Sequence, residues 1–79
     1  MQWLVRLRAD VPLDMDPEVR ADLFQRTRDL VSGWPGEVWR VAGGWTVVAV
    51  LSVEDPHELI AALPLHPWLT VTVEPLVSY

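Results

Sequence analysis

The residues best equipped for chemistry are Arg40 in "EVWRVAGGW" and His57 and His66 in "EDPHELIAALPLHPW". A guanidinium can hold a carboxylate, or an oxygen that gains charge during a reaction, through charge-assisted hydrogen bonds. An imidazole can take up and return a proton near neutral pH. Together these groups would serve a proton transfer, with Arg40 stabilising the developing charge and His57 moving the proton. His66 would stand at the pocket mouth, and Trp39, Trp45, Trp68 and Phe24 would wall the pocket with apolar surface. Each has a plainer reading. His57 would be an exposed first-turn histidine, His66 a loop residue, Arg40 an ion-pair partner of Glu74 or Glu37, and the tryptophans core. Two histidines without a carboxylate at ligand spacing make no metal site, so no metal is expected.

Composition narrows the setting. Seventy-nine residues make one small domain, residues 1–79, and a chain of that size buries only roughly 60% of its unfolded surface. Yet the chain is 51% hydrophobic and has five tryptophans. That is more apolar mass than so small a core can hide, which points to a partner. The net charge is −5, and the six basic residues are all arginine with no basic stripe. This argues against nucleic acid as a partner. With no cysteine, disulfides and thiolate chemistry are excluded. No export signal and no membrane-length apolar run is present, so a cytoplasmic protein is expected.

The elements that must position the candidate residues read as two similar halves. "QWLVRLRAD" alternates as a strand, with Trp3, Val5 and Leu7 on one face and Leu4, Arg6 and Arg8 on the other. Asp16 then caps a helix that has Pro17 at its first position and Gly33 beyond its end. Val19, Leu23, Thr27 and Leu30 form its buried stripe, flanked by Phe24 and Val31. "EVWRVA" and "WTVVAVLSV" are strands joined through Gly43-Gly44, a pair suited to a tight hairpin. Asp55-Pro56 repeats the helix start, and Pro64 stops that helix. "WLTVTVEPL" is the last strand.

The order βαββαβ predicts an α+β ferredoxin-like sandwich, a four-stranded antiparallel sheet with two helices on one face. The other face would carry Leu4, Arg6, Arg8, Val38, Arg40, Thr46, Val48, Val50, Trp68, Thr70, Thr72 and Glu74. Five of these twelve are apolar or aromatic, too many for a wet surface. A second subunit packed there would form a dimeric α+β barrel, so a homo-oligomer, dimer or larger ring, is expected. Arg6 and Arg8 would join Thr70, Thr72 and Glu74 in a network at that interface.

In order along the chain, "VRLRADVPLDMDPEV", "VWRVAGGW" and "LPLHPW" resemble the muconolactone Δ-isomerase family. Trp39, Arg40 and Gly43 match one motif of that family; His57, Leu63, Pro64, Leu65 and Pro67 match another. His66 and Trp68 stand where the family has Phe and Tyr. The resemblance implies ferredoxin-like subunits in dimers or rings, and a cofactor-free proton shift within an unsaturated lactone bearing a carboxylate. The family's charged stretch on the first helix is here "LFQRTRDL", with Phe24 and Thr27, and its Asn in the third strand is Val47. These departures imply a more apolar pocket and make muconolactone itself a poor substrate. Two functions follow. One is a small-molecule isomerase or cyclase in a catabolic or natural-product pathway, and the other a non-catalytic oligomer that binds or scaffolds a hydrophobic small molecule.

Overall fold

Two Asp-Pro steps start the two helices, and both caps form as their chemistry demands. In the computed structural model, which describes all 79 residues, the chain forms β1 (Gln2–Ala9), α1 (Pro17–Ser32), β2 (Gly36–Val41) and β3 (Thr46–Ser52). It continues through α2 (Pro56–Ala61), a 3₁₀ turn (His66–Trp68) and β4 (Leu69–Leu76). The Asp16 carboxylate accepts from the backbone N–H groups of Glu18 at 2.8 Å and Val19 at 3.3 Å. Asp55 accepts from His57 N–H at 2.9 Å. Each cap satisfies donors that the first helical turn leaves unpaired. Gly33 closes α1 through its N–H to the Leu30 carbonyl at 3.1 Å.

All strand pairs are antiparallel in the order β2-β3-β1-β4. This is the ferredoxin-like α+β fold. The central strand β1 alternates as its sequence requires: Val5 and Leu7 are fully buried on the helix side, while Arg6 and Arg8 are exposed on the other. Arg6 stands opposite Thr72 and Arg8 opposite Thr70 on β4. Val5 and Leu7 pack with Val47, Ala49 and Leu51 of β3, Val31 of α1, Ile60 of α2, and Trp34 and Leu63. One polar group enters this layer. Thr27 is fully buried, and its hydroxyl oxygen accepts the N–H of the buried Leu65 at 3.2 Å, tying α1 to the loop after α2.

Four expectations are corrected. On α1, Thr27 and Val31 are buried, but Val19 and Leu30 are 51% and 47% exposed. The buried stripe is centred on Thr27 rather than spread to both ends. The connection between β2 and β3 is a four-residue turn, Ala42 to Trp45, not a two-residue one, so Trp45 lies outside β3. Trp68 belongs to the 3₁₀ turn, and β4 starts only at Leu69.

The face of β2 is reversed. Val38 stands opposite Ala49 and Arg40 opposite Val47, which puts both on the helix side; Glu37, Trp39 and Val41 take the open side. The alternation of "EVWRV" offers an apolar residue in either phase, so pairing with β3 decides between them. The reversal also removes Arg40 from the open face. Glu74 lies on β4, at the opposite edge of the sheet, so it cannot pair with Arg40 within this chain.

Candidate active site

Two cavities open along α1 on the helix side of the sheet. The larger, about 730 Å³, lies between α1, the connector from Asp10 to Met15 that follows β1, and the turn before β3. The smaller, about 500 Å³, lies between the C-terminal half of α1 and the edge strand β2. Both volumes suit a small metabolite. They share two wall residues, Arg28 and Trp45.

The larger cavity holds the charged groups. Arg20, Phe24 and Arg28 recur every four residues, which places them on one stripe of α1, and all three line it. The Arg20 guanidinium lies 5.1 Å from the centre of the Phe24 ring. Phe24 meets Trp45 edge to face, with ring centres 5.5 Å apart at 77°. Arg28 donates to the Gln25 side chain at 3.3 Å. Neither Arg20 nor Arg28 is ion-paired, since the salt bridge in this chain joins Arg26 to Asp22 on the outer surface. In a chain of net charge −5, two arginines left without anionic partners on one cavity wall favour an anionic ligand.

Asp10 faces them. It follows the last residue of β1, and its backbone N–H donates to the Trp68 carbonyl at 3.0 Å. It is the one carboxylate on either cavity, and no histidine lines either one. A proton acceptor on the cavity wall is therefore Asp10.

Trp45 carries the unusual feature. Its indole nitrogen is buried and has no hydrogen-bond partner. A buried donor left unpaired costs about 1–3 kcal/mol, and such groups in native proteins call for a reason.

The residues singled out in the sequence divide accordingly. Phe24 lines the larger cavity, Trp39 and Arg40 the smaller one, and Trp45 both. His57, His66 and Trp68 line neither; both histidines are exposed, and Trp68 reaches the site only through its carbonyl. Arg40 and His57 do not converge. Arg40 stands opposite Val47 at the start of β3, whereas His57 follows the far end of that strand. From Val47 to Ser52 the strand runs roughly 17 Å, too far for one small ring to bridge. Asp10, Arg20 and Arg28 were missed, although the Arg-Phe-Arg spacing of four was a usable signal.

Comparison with known proteins identifies the family. The family model for muconolactone delta-isomerase matches residues 1–79, the whole chain. The chain belongs to the muconolactone Δ-isomerase family. The muconolactone Delta-isomerase of Rhodococcus opacus is 31% identical over 84 residues, covering 95% of this chain and 89% of that protein. Muconolactone Delta-isomerase 2 of Acinetobacter lwoffii is 31% identical over 87 residues, covering 100% and 91%. The crystal structure of a muconolactone isomerase superposes with a TM-score of 0.88 at 25% identity, over 100% of this chain and 91% of that one. Family membership favours the isomerase over the non-catalytic binding protein. No helix here is long and apolar enough to cross a membrane.

Proposed function

We propose that this chain is an isomerase that moves a proton within an unsaturated lactone bearing a carboxylate, bound in the larger cavity. The observation that carries the reading is the meeting of Asp10, Arg20 and Arg28 on one wall system with apolar Phe24, Met15 and Trp45. In this scheme the two arginines hold the carboxylate, and the apolar residues take the ring. Asp10 removes the proton from the carbon γ to the lactone carbonyl. The electron pair spreads through the double bond onto the carbonyl oxygen, giving a dienolate. Return of a proton to the α carbon completes the shift, so atoms and electrons balance without a co-reactant. Phe24 gives this cavity apolar lining, and the arginines beside it make a carboxylate-bearing ligand a better fit than a wholly apolar one. Muconolactone is therefore the substrate to try first. Loss of its ultraviolet absorbance on adding the protein is expected; no change at micromolar enzyme would overturn the proposal.

The same chain is proposed to work as a homo-oligomer in the cytoplasm. The open sheet face has no cover of its own. Trp39 and Val41 on that face are 53% and 39% exposed, and Leu4, Val48 and Val50 between them are only half-buried. A second copy packed sheet to sheet would bury this surface and close a barrel. Light scattering at micromolar concentration should show at least a dimer. A particle of 9.0 kDa, the mass of one chain, would refute it.

A further inference from the structure

The two cavities differ in charge. The larger sets Arg20 and Arg28 against Asp10, whereas the smaller has Arg28 and Arg40 and no acidic residue. Together they take three of the chain's six arginines and only one of its eleven acidic residues. The acids nearest in sequence to the two arginines are turned elsewhere. Glu37 of β2 takes the open face of the sheet. The Asp29 carboxylate accepts from the Gln25 side chain at 2.9 Å, on the exposed surface of α1. No ion pair reaches Arg28 or Arg40. Around these charges the wall is apolar, with Val31, Trp34, Val38, Trp45 and Val47. We propose that the smaller cavity is a second binding site, which takes an aromatic carboxylate and has Arg40 as its anchor.

Arg40 is on the helix side because it stands opposite the buried Val47, and directly opposed residues of an antiparallel pair share a face. A guanidinium matches a carboxylate with a planar fork of donors. Arg28 gives one N–H to the Gln25 side chain at 3.3 Å and keeps the others to bond a ligand. The ring of the ligand is read from the wall. A cavity of about 500 Å³ suits a small organic molecule, and a bare anion would leave its valines and tryptophans uncovered. The charge of the ligand is read from the arginines, since an uncharged ring would leave both of them without an anion. A second copy packed on the open sheet face would leave this cavity accessible, because it lies on the other side of the sheet. The proposal does not rest on the lactone reading. That reading uses the larger cavity, and Arg40 lines only the smaller one.

Three probes separate the ring from the charge: phenylacetate has both, acetate only the charge, and 2-phenylethanol only the ring. In the ¹⁵N-labelled protein, the backbone signals of Val38 and Val47 report on the smaller cavity, and those of Leu13 and Ala21 on the larger. Millimolar phenylacetate should shift Val38 and Val47 along a saturating curve. Acetate and 2-phenylethanol should each bind there roughly tenfold more weakly or worse, the usual cost of losing a charge-assisted bond or a buried ring. Arg40→Met should weaken phenylacetate by a similar factor at Val38 and Val47. Any response of Leu13 and Ala21 should stay as in the wild type, at an unaltered melting temperature. Stationary Val38 and Val47 signals overturn the proposal, and so does acetate or 2-phenylethanol binding within threefold of phenylacetate. These wild-type results decide it even if the variant folds poorly. A folded Arg40→Met protein that binds phenylacetate within threefold of wild type overturns it as well.

Discussion

Asp10→Asn is expected to reduce turnover by roughly 10²–10⁴-fold, the usual cost of a lost general base, while the fold stays intact. The larger cavity contains one group able to accept a proton from carbon, and that group is the Asp10 carboxylate. Asparagine has the same shape and keeps the backbone N–H that bonds to the Trp68 carbonyl. The side chain is exposed and makes no hydrogen bond or salt bridge within the chain, so its charge contributes no partner that the fold would miss. Removing it should also sharpen the pull of Arg20 and Arg28 on a carboxylate, by deleting a competing negative charge on the same wall. The expected signature is a fall in kcat with KM unchanged or lower, at an unaltered melting temperature. His57→Gln is the control, and should leave both constants at wild-type values because His57 lines neither cavity. If Asp10→Asn stays within threefold of wild type while His57→Gln loses activity, the assignment of the base is wrong.

The contrast between those two residues shows where sequence reasoning reached the site and where it stopped. Helix starts were legible because Asp and Pro act locally: the carboxylate caps the N–H two residues on, and proline fits the first turn. The alternation of β1 was equally local. The phase of β2 was not, since Val38 with Arg40 and Trp39 with Val41 are comparable apolar sets, and only the register against Ala49 and Val47 separates them. That single ambiguity moved Arg40 from the open face to the helix side.

Asp10 was hidden for a different reason. In "LRAD" it reads as the polar end of a strand, and its meeting with Arg20 and Arg28 depends on how the Asp10–Met15 connector runs back beside α1. No period along the chain encodes that path. Phe24 was singled out because it stands in the first-helix stretch where the resembled family is charged, and Trp45 because an aromatic at strand spacing can wall a pocket as well as fill a core. The unpaired indole nitrogen of Trp45 could be found only once every neighbouring acceptor had been placed.

The largest effect on stability is expected at Gly36, where β2 begins. Gly36 has φ +140°, a conformation that residues with a side chain rarely adopt. A Cβ added there would overlap the Val50 carbonyl oxygen, and would stand 3.0 Å from the Val50 carbonyl carbon and 3.1 Å from the Leu51 Cα. All three are backbone atoms of β3, so no side chain can swing aside to relieve the overlap. The backbone conformation alone costs of order 1–3 kcal/mol, and forcing β3 away adds to it. A total of about 3 kcal/mol corresponds to a fall of roughly 12–24 °C in the melting temperature of a domain this small. The damage would reach the site, because Gly36 also lines the smaller cavity and β2 carries Arg40 and Trp39. Gly33→Ala makes the matched comparison. Its φ is −95°, and an added Cβ would meet only the Leu30 carbonyl oxygen, at an ordinary 3.6 Å. Gly33→Ala should therefore be neutral, or stabilise by about 0.4–1 kcal/mol through the unfolded chain. Thermal unfolding followed by circular dichroism separates the two. Equal melting temperatures for Gly36→Ala and Gly33→Ala would show that β2 does not pack against Val50 and Leu51 in this register. The helix-side placement of Arg40 would fall with it.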